Sequence, residues 1–315
     1  MHMPLGKRMD GEQPTPKTQP VPADVDDTFE LFQSEEPKYS FDDIILNDTT
    51  YDAIQDILVL YDKRELLFNE WGLNTTHKYQ NRAGINLYGY SGTGKSMAAH
   101  AIANQLNRRL LIVDYSQIES KYVGETSKNL ANMFKHATET QSLIFFDEAD
   151  ALLSRRVTNM TNSTDVSVNQ TRSVLLLLLN DFDDMVLFAT NFITNYDPAF
   201  MRRIVAHIKF DLPNEQNRLK LWRLYIPEPM PTNVDINKLA SEYDNVSGSD
   251  ISTAVFNASL RAARLNEQQV DHEYFEESIK RIIASKIDND NIGTISRRTV
   301  SEEYVKSQFG GELPK

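Results

Sequence analysis

A glycine-rich stretch, GYSGTGKS at residues 89–96, contains the residue types that hold phosphate groups. Its pattern is G-x-x-x-x-G-K-[ST], in which the glycines let backbone N–H groups converge on phosphate oxygens. Lys95 is expected to reach the β- and γ-phosphates of a nucleotide, and the Ser96 hydroxyl is expected to hold Mg²⁺. The stretch lies between a predicted strand and a predicted helix, as such a site requires. The sequence therefore predicts a site for a nucleotide and Mg²⁺.

Two adjacent carboxylates, Asp147 and Glu148, follow the apolar run LIFF at residues 143–146. An apolar run without polar alternation is typical of a parallel strand that is buried on both faces. Functional groups of parallel sheets gather at the carboxyl ends of strands, so we expect both acids to lie beside the phosphate site. Asp147 is predicted to orient Mg²⁺, and Glu148 is predicted to polarise an attacking water. Asp150 is assigned to the local turn.

The letters DEAD at residues 147–150 also occur in a large family of RNA helicases. That class needs a second sheet-containing domain and further RNA-contacting motifs, and neither is seen after residue 213. The helicase interpretation is therefore rejected.

Strand and helix signals alternate from Tyr39 to Pro213, which predicts a parallel sheet layered by helices. Predicted strands cover residues 83–90, 110–115, 142–147 and 185–190, and predicted helices cover residues 95–107, 125–137 and 169–180. Later segments are helical by pattern, at residues 215–225, 236–243, 249–264 and 272–284. The predicted fold class is α/β, a P-loop parallel sheet flanked by helices and followed by a small all-α lid domain.

Four regions follow from this reading of the chain. They are a polar, disordered arm at 1–38, a large α/β domain at 39–213, a helical lid at 214–285, and a tail at 286–315 with a short helix after Ser301.

Composition restricts the partners and the location. The chain has 315 residues with 33 basic and 45 acidic side chains, a net charge of −12, which repels nucleic-acid phosphate. It has no cysteine, which fits a reducing cytoplasm. The longest aliphatic run, at 174–179, is too short to span a bilayer, so no membrane partner is expected.

Five further motifs occur in the order typical of one family. They are FDDII at 41–45, ESKYVGET at 119–126, VLFATN at 186–191, DPAFMRR at 197–203 and SGSDI at 247–251. With the phosphate loop and the paired acids, they make residues 40–285 resemble the AAA clade of the AAA+ ATPases. The segment DPAFMRR is shorter than the usual form in that clade.

The resemblance implies roles for further residues. Asn191 would lie near the γ-phosphate, and either Arg202 or Arg203 would be an arginine finger acting on a neighbouring subunit. The implied pore loop is Lys121, Tyr122, Val123 and Gly124, whose aromatic tip would grip a polypeptide by stacking and apolar contact. The implied nucleotide-binding residues are Asp43, Ile44, Gly89, Ser91, Gly92, Thr93, Gly94, Lys95, Ser96, Met97, Gly248 and Ser249.

The resemblance also implies ATP and Mg²⁺ as cofactors and a homo-hexamer whose assembly ATP promotes. Its expected work is to unfold or remodel a protein client by pulling the polypeptide through the central pore. One subfamily that fits is the HORMA-remodelling type of the pachytene checkpoint, although nothing in the sequence singles it out. A DNA-acting initiator or loader would need a basic surface to bind DNA, and a net charge of −12 does not favour one. A nucleotide-gated scaffold is disfavoured because Glu148 and Asn191 are both present.

Overall fold

A single mixed sheet forms the framework of the N-terminal part of the protein. The structure is a computed structural model that describes residues 32–77, 84–113, 125–154, 163–191 and 196–295. The strands are β1 (Ser34–Glu35), β2 (Gly84–Gly89), β3 (Arg109–Val113), β4 (Ser142–Phe146), β5 (Val186–Thr190) and β6 (Ile204–Phe210). Their order is β1-β3-β4-β5-β2-β6, in which β1 is antiparallel to β3 and the other neighbours are parallel.

Ten α-helices are found in the described residues. They are α1 (Asp48–Asp62), α2 (Lys95–Gln105), α3 (Glu125–Glu139), α4 (Asp150–Leu153), α5 (Ser163–Asp181), α6 (Pro198–Met201), α7 (Glu215–Tyr225), α8 (Ile236–Glu242), α9 (Gly248–Leu265) and α10 (His272–Ile295). Shorter helical turns cover Phe41–Asp43, Leu66–Glu70 and Leu73–Thr75. None of the helices in these ranges is long and apolar enough to cross a bilayer.

Helices cover both faces of the sheet. Successive strand residues point to opposite sides, so each strand contributes side chains to both helical layers. Along β4, Ile144 and Phe146 pack with residues of α3 and α5, whereas Leu143 and Phe145 pack with residues of α1 and α2. Phe146 stacks on Phe188 of β5 with ring centroids 5.3 Å apart. Burial on both faces explains why β4 and β5 are apolar apart from their terminal residues Ser142 and Thr190.

The helices α7–α10 form a second, sheet-free core around Trp222 and Phe275, whose rings meet edge to face at 6.3 Å. Helix α9 begins with a capping box in which Ser247 and Asp250 bond to each other's backbone N–H groups. Its buried face carries Ile251, Val255, Ala258 and Ala262, at the helical spacing seen in the sequence. The predicted fold class, a P-loop sheet followed by a helical lid, is confirmed.

The structure also contains elements that the sequence reading did not include. Helix α1 and strands β1 and β6 are additional, and α10 continues to Ile295, beyond the lid boundary predicted at residue 285. Residues 32–38 fall within the predicted arm, yet Phe32 is buried in the core and β1 pairs with the sheet. The remaining parts of the predicted arm and tail, 1–31 and 296–315, lie outside the described residues.

Candidate active site

The glycine-rich loop connects the end of β2 to the start of α2, as the sequence predicted. All three of its glycines have positive φ, which is 145° at Gly89 and, within the turn, 74° at Gly92 and 97° at Gly94. Residues with a side chain rarely adopt this left-handed conformation, which is why the loop needs glycine at these points. The turn brings the loop backbone to the N-terminus of α2, where unpaired N–H groups favour an anion.

Lys95, the first residue of α2, is buried, and three acceptors hold its ammonium group. Its Nζ donates to the carbonyl oxygens of Gly89 and Tyr90, both at 2.8 Å, and to Oδ1 of Asn191 at 3.1 Å. Burial lowers the pKa of Lys95, and the nearby carboxylate of Asp147 partly opposes this shift. The ammonium group is therefore fixed beside the ends of β2 and β5.

Ser96 and Asp147 supply oxygen ligands that suit Mg²⁺. The Ser96 hydroxyl donates to Oδ2 of Asp147 at 2.8 Å, so the start of α2 meets the end of β4. No group of three or more His, Cys, Asp or Glu side chains in the described residues is arranged to hold a metal alone. Because Mg²⁺ in proteins commonly binds one or two carboxylates together with substrate phosphates, one carboxylate and one hydroxyl fit this ion.

Glu148 and Asn191 are exposed at the same edge of the sheet. Glu148 has a φ of 49°, unusual for a residue with a side chain, and its backbone N–H donates to Oδ1 of Asp147 at 2.9 Å. The backbone N–H of Asn191 donates to Oδ2 of Asp150 at 3.2 Å. Asp150, assigned to a local turn from sequence, thus also fixes the chain at the end of β5.

These groups open onto one cleft of about 430 Å³ between the sheet edge and the lid. Of the predicted site residues, the cleft is lined by Asp43, Ile44, Ser91, Gly92, Thr93, Gly94, Lys95, Ser96, Met97, Asp147, Glu148, Asn191, Gly248 and Ser249. Gly89 does not line it, although its carbonyl oxygen holds Lys95. The structure thus brings together residues that are more than 200 positions apart in the chain.

The lid contacts the phosphate loop directly. The Ser249 backbone N–H at the start of α9 donates to the Gly92 carbonyl oxygen at 3.2 Å. A Cβ atom on Gly92 would lie 2.7 Å from both Oγ of Ser247 and Cβ of Ser249. The close approach of α9 therefore depends on glycine at position 92.

Arg202 and Arg203 lie outside the cleft, at the end of α6. Arg202 is exposed, and its Nε makes a long hydrogen bond to the Pro198 carbonyl oxygen at 3.3 Å. Arg203 is half-buried and donates to Oδ1 of Asn180 and to the Ala199 carbonyl oxygen, both at 2.8 Å. Neither guanidinium reaches the cleft of this chain. The predicted pore loop, 121–124, lies outside the described residues.

Several cleft residues were missed by sequence reasoning. Leu46, Asn47, Leu221, Leu224 and Tyr225 also line the cleft. No local sequence signal distinguishes Leu221, Leu224 or Tyr225 from the other residues of α7. They become cleft residues only because the segment before α1, which carries Leu46 and Asn47, and helix α7 line the same cleft.

The fold and the cleft define a P-loop nucleoside-triphosphatase domain followed by a helical lid. Residues 85–212 match the family model described as "ATPase family associated with various cellular activities (AAA)". This part of the chain is accordingly an AAA ATPase domain, as the motif order indicated.

The proteasome-activating nucleotidases of Methanopyrus kandleri and Methanococcus maripaludis are each 31% identical to the chain over 260 residues. Those alignments cover 80% of this chain and 58% and 62% of the two relatives. The 26S proteasome regulatory subunit 8 homolog B of Arabidopsis thaliana is 29% identical over 272 residues, which cover 84% of this chain and 64% of the relative. The chain thus spans about three fifths of the length of these curated relatives.

Proposed function

We propose that this protein hydrolyses ATP to ADP and phosphate in the cleft, with Mg²⁺ as cofactor. The observation that carries the proposal is the convergence of three elements on one point. Lys95 at the start of α2 is bonded to Asn191 at the end of β5, and Ser96 is bonded to Asp147 at the end of β4. A lysine, a hydroxyl–carboxylate pair and a polar amide in this arrangement are the groups that phosphoryl transfer to water requires.

Each of these groups has a separate role in the proposed reaction. Lys95 and the loop N–H groups bind the β- and γ-phosphates, while Ser96 and Asp147 hold Mg²⁺, which neutralises developing phosphate charge when bound. Glu148 accepts a proton from the water whose oxygen attacks the γ-phosphorus, and the bond from that phosphorus to the β–γ bridging oxygen breaks. Asn191 orients the γ-phosphate and this water. The exposure of Glu148 leaves its carboxylate free for this task.

Two substitutions test the reaction. Lys95→Ala should abolish ATP binding, because it removes the ammonium group from the phosphate loop. Glu148→Gln should bind ATP yet lose roughly 10²–10⁴ in hydrolysis rate, the usual scale for a lost general base. Glu228→Gln, at an exposed glutamate outside the cleft, is the matched control and should hydrolyse ATP normally. Hydrolysis at the native rate by Glu148→Gln would contradict the proposal.

We infer further that the subunits form a homo-hexamer that ATP promotes. Neither Arg202 nor Arg203 reaches the cleft of its own subunit, and an arginine supplied by a neighbour is worth about 10³–10⁵ in rate in analogous sites. A head-to-tail contact that places one of them at the next cleft closes into a ring. Mixing an arginine-deficient subunit with a Lys95→Ala subunit tests this, because restored hydrolysis requires the finger to act in trans.

The work that we propose for the ring is remodelling or unfolding of a protein client, gripped by Tyr122 in the central pore. Relatives named for activating or regulating the proteasome support a protein substrate. They give no support to the HORMA-remodelling subtype, so the client is left unassigned. A DNA-acting role is the less favoured alternative, because the net charge of −12 opposes phosphate binding. A cytoplasmic location remains a prediction from the absence of cysteine.

A further inference from the structure

Asn47 precedes helix α1, but its side chain does not cap that helix. It reaches instead to the segment that connects β6 with α7. Its Nδ2 donates to the Leu212 carbonyl oxygen at 3.1 Å, and its Oδ1 accepts from the Asn214 backbone N–H at 3.3 Å. The same Oδ1 accepts from Nδ2 of Asn217 at 2.9 Å. One amide therefore makes three bonds, one to the segment that leads into the lid and two to the beginning of the lid.

Asn217 strengthens this connection from the lid side. It is buried in the first turn of α7, and its Nδ2 also donates to the Leu46 carbonyl oxygen at 3.0 Å. Leu221 and Tyr225 follow at intervals of four residues, so they share the face of α7 on which Asn217 lies. Both line the cleft, as do Leu46 and Asn47.

We infer that Asn47 is a positioning residue that sets α7, and with it the lid, against the phosphate loop. This inference rests on the proposed ATPase activity. The bonds of Asn47 fix the apolar side of the cleft, whereas the Ser249–Gly92 bond fixes the phosphate side. With both contacts in place, the lid and the sheet edge present a single preformed cleft to the nucleotide. Loss of the Asn47 bonds frees α7 to rotate away, which weakens nucleotide binding more than the chemical step.

Asn47→Ala should raise the KM for ATP about tenfold, roughly the effect of losing one to two net hydrogen bonds, and change kcat much less. It should also speed hydrogen exchange at the Ser249 amide in the absence of nucleotide, because the lid is then less firmly held. Asn47→Asp keeps an acceptor for Asn214 and Asn217 but loses the donor to Leu212. Its KM should fall between those of the native protein and the alanine variant.

Asp235→Ala is the control for a merely structural effect. Asp235 caps α8 within the lid and does not line the cleft, so its loss should lower the melting temperature without a comparable rise in KM. The inference is overturned if Asn47→Ala behaves like Asp235→Ala, with native KM and native exchange at Ser249. If the native protein hydrolyses no ATP, the proposed function fails, and the exchange at Ser249 still tests the positioning role independently.

Discussion

Replacing Gly92 by alanine would force the lid away from the phosphate loop. The new Cβ atom would lie 2.7 Å from Oγ of Ser247 and from Cβ of Ser249, a separation that real Cβ atoms essentially never show. Ser247 has little freedom to move, because it is buried and its Oγ is bonded to Asp250 in the capping box. The start of α9 must therefore shift, and the Ser249–Gly92 hydrogen bond should break.

Two contributions set the expected loss in the free energy of unfolding of Gly92→Ala. A side chain in the left-handed conformation costs about 1–2 kcal/mol, and a lost hydrogen bond costs about 0.5–1.5 kcal/mol. Gly94→Ala is the matched comparison, because φ is 97° there and a Cβ atom would meet nothing within 4 Å. Gly94→Ala should therefore lose only the free energy of the left-handed backbone conformation. Gly92→Ala should be less stable than Gly94→Ala by about 0.5–1.5 kcal/mol, the contribution of the lost hydrogen bond.

Hydrogen exchange without nucleotide checks this prediction, with urea unfolding of the same samples. The Ser249 amide should exchange faster in Gly92→Ala than in Gly94→Ala, by about two- to tenfold for the lost bond. Working without nucleotide matters, because both glycines line the cleft. Equal exchange and equal stability of the two variants would refute the close lid contact.

Three further outcomes are expected. Arg202→Ala or Arg203→Ala, at least one of them, should bind ATP yet lose hydrolysis. Arg203→Ala should lower the melting temperature more than Arg202→Ala, because Arg203 is half-buried and makes two bonds of 2.8 Å, whereas the exposed Arg202 makes one of 3.3 Å. Native hydrolysis by both variants would contradict the trans arrangement. Tyr122→Ala should keep basal ATPase activity and lose client unfolding, whereas a parallel fall in ATPase, unfolding and melting temperature would indicate a packing role. Hydrogen bonds from lysines, chiefly Lys238, lower the pKa of Glu276 from 4.5 to about 2. The stability that the ionised Glu276 contributes is therefore present above pH 4.5 and lost as the pH falls towards 2. In acid titration, the free energy of unfolding of Glu276→Gln should fall less steeply over this range than that of the native protein. An equally steep fall in both proteins would contradict this prediction.

The parts of the site that were predictable from sequence are those whose function depends on residues adjacent in sequence. The phosphate loop and the acids after β4 are contiguous, and their chemistry depends on local backbone geometry. Helix α1 also carried a readable signal, because Ile54, Ile57 and Leu58 recur at helical spacing on its buried face.

The parts of the fold and of the site that could not be predicted depend on contacts between segments distant in sequence. Strand β6 includes a histidine and a lysine and has a mixed burial pattern, since it lies at the sheet edge. Asn47 directly precedes α1 in sequence, yet its side chain bonds to residues about 165–170 positions away. No spacing rule predicts such a pairing, because it exists only after the sheet has placed both segments side by side.

Strand β1 covers one edge of the sheet, an edge that another strand would otherwise be able to pair with. It covers Leu110 and Leu111 of β3, on a side of the sheet that would otherwise present free N–H and C=O groups. Arg109 secures the segment by donating to the Ser34 carbonyl oxygen at 2.6 Å, and Phe32 anchors it in the core. A shortened chain that begins after residue 36 would expose an open apolar strand edge and aggregate. A truncated version of the protein should therefore begin before Phe32.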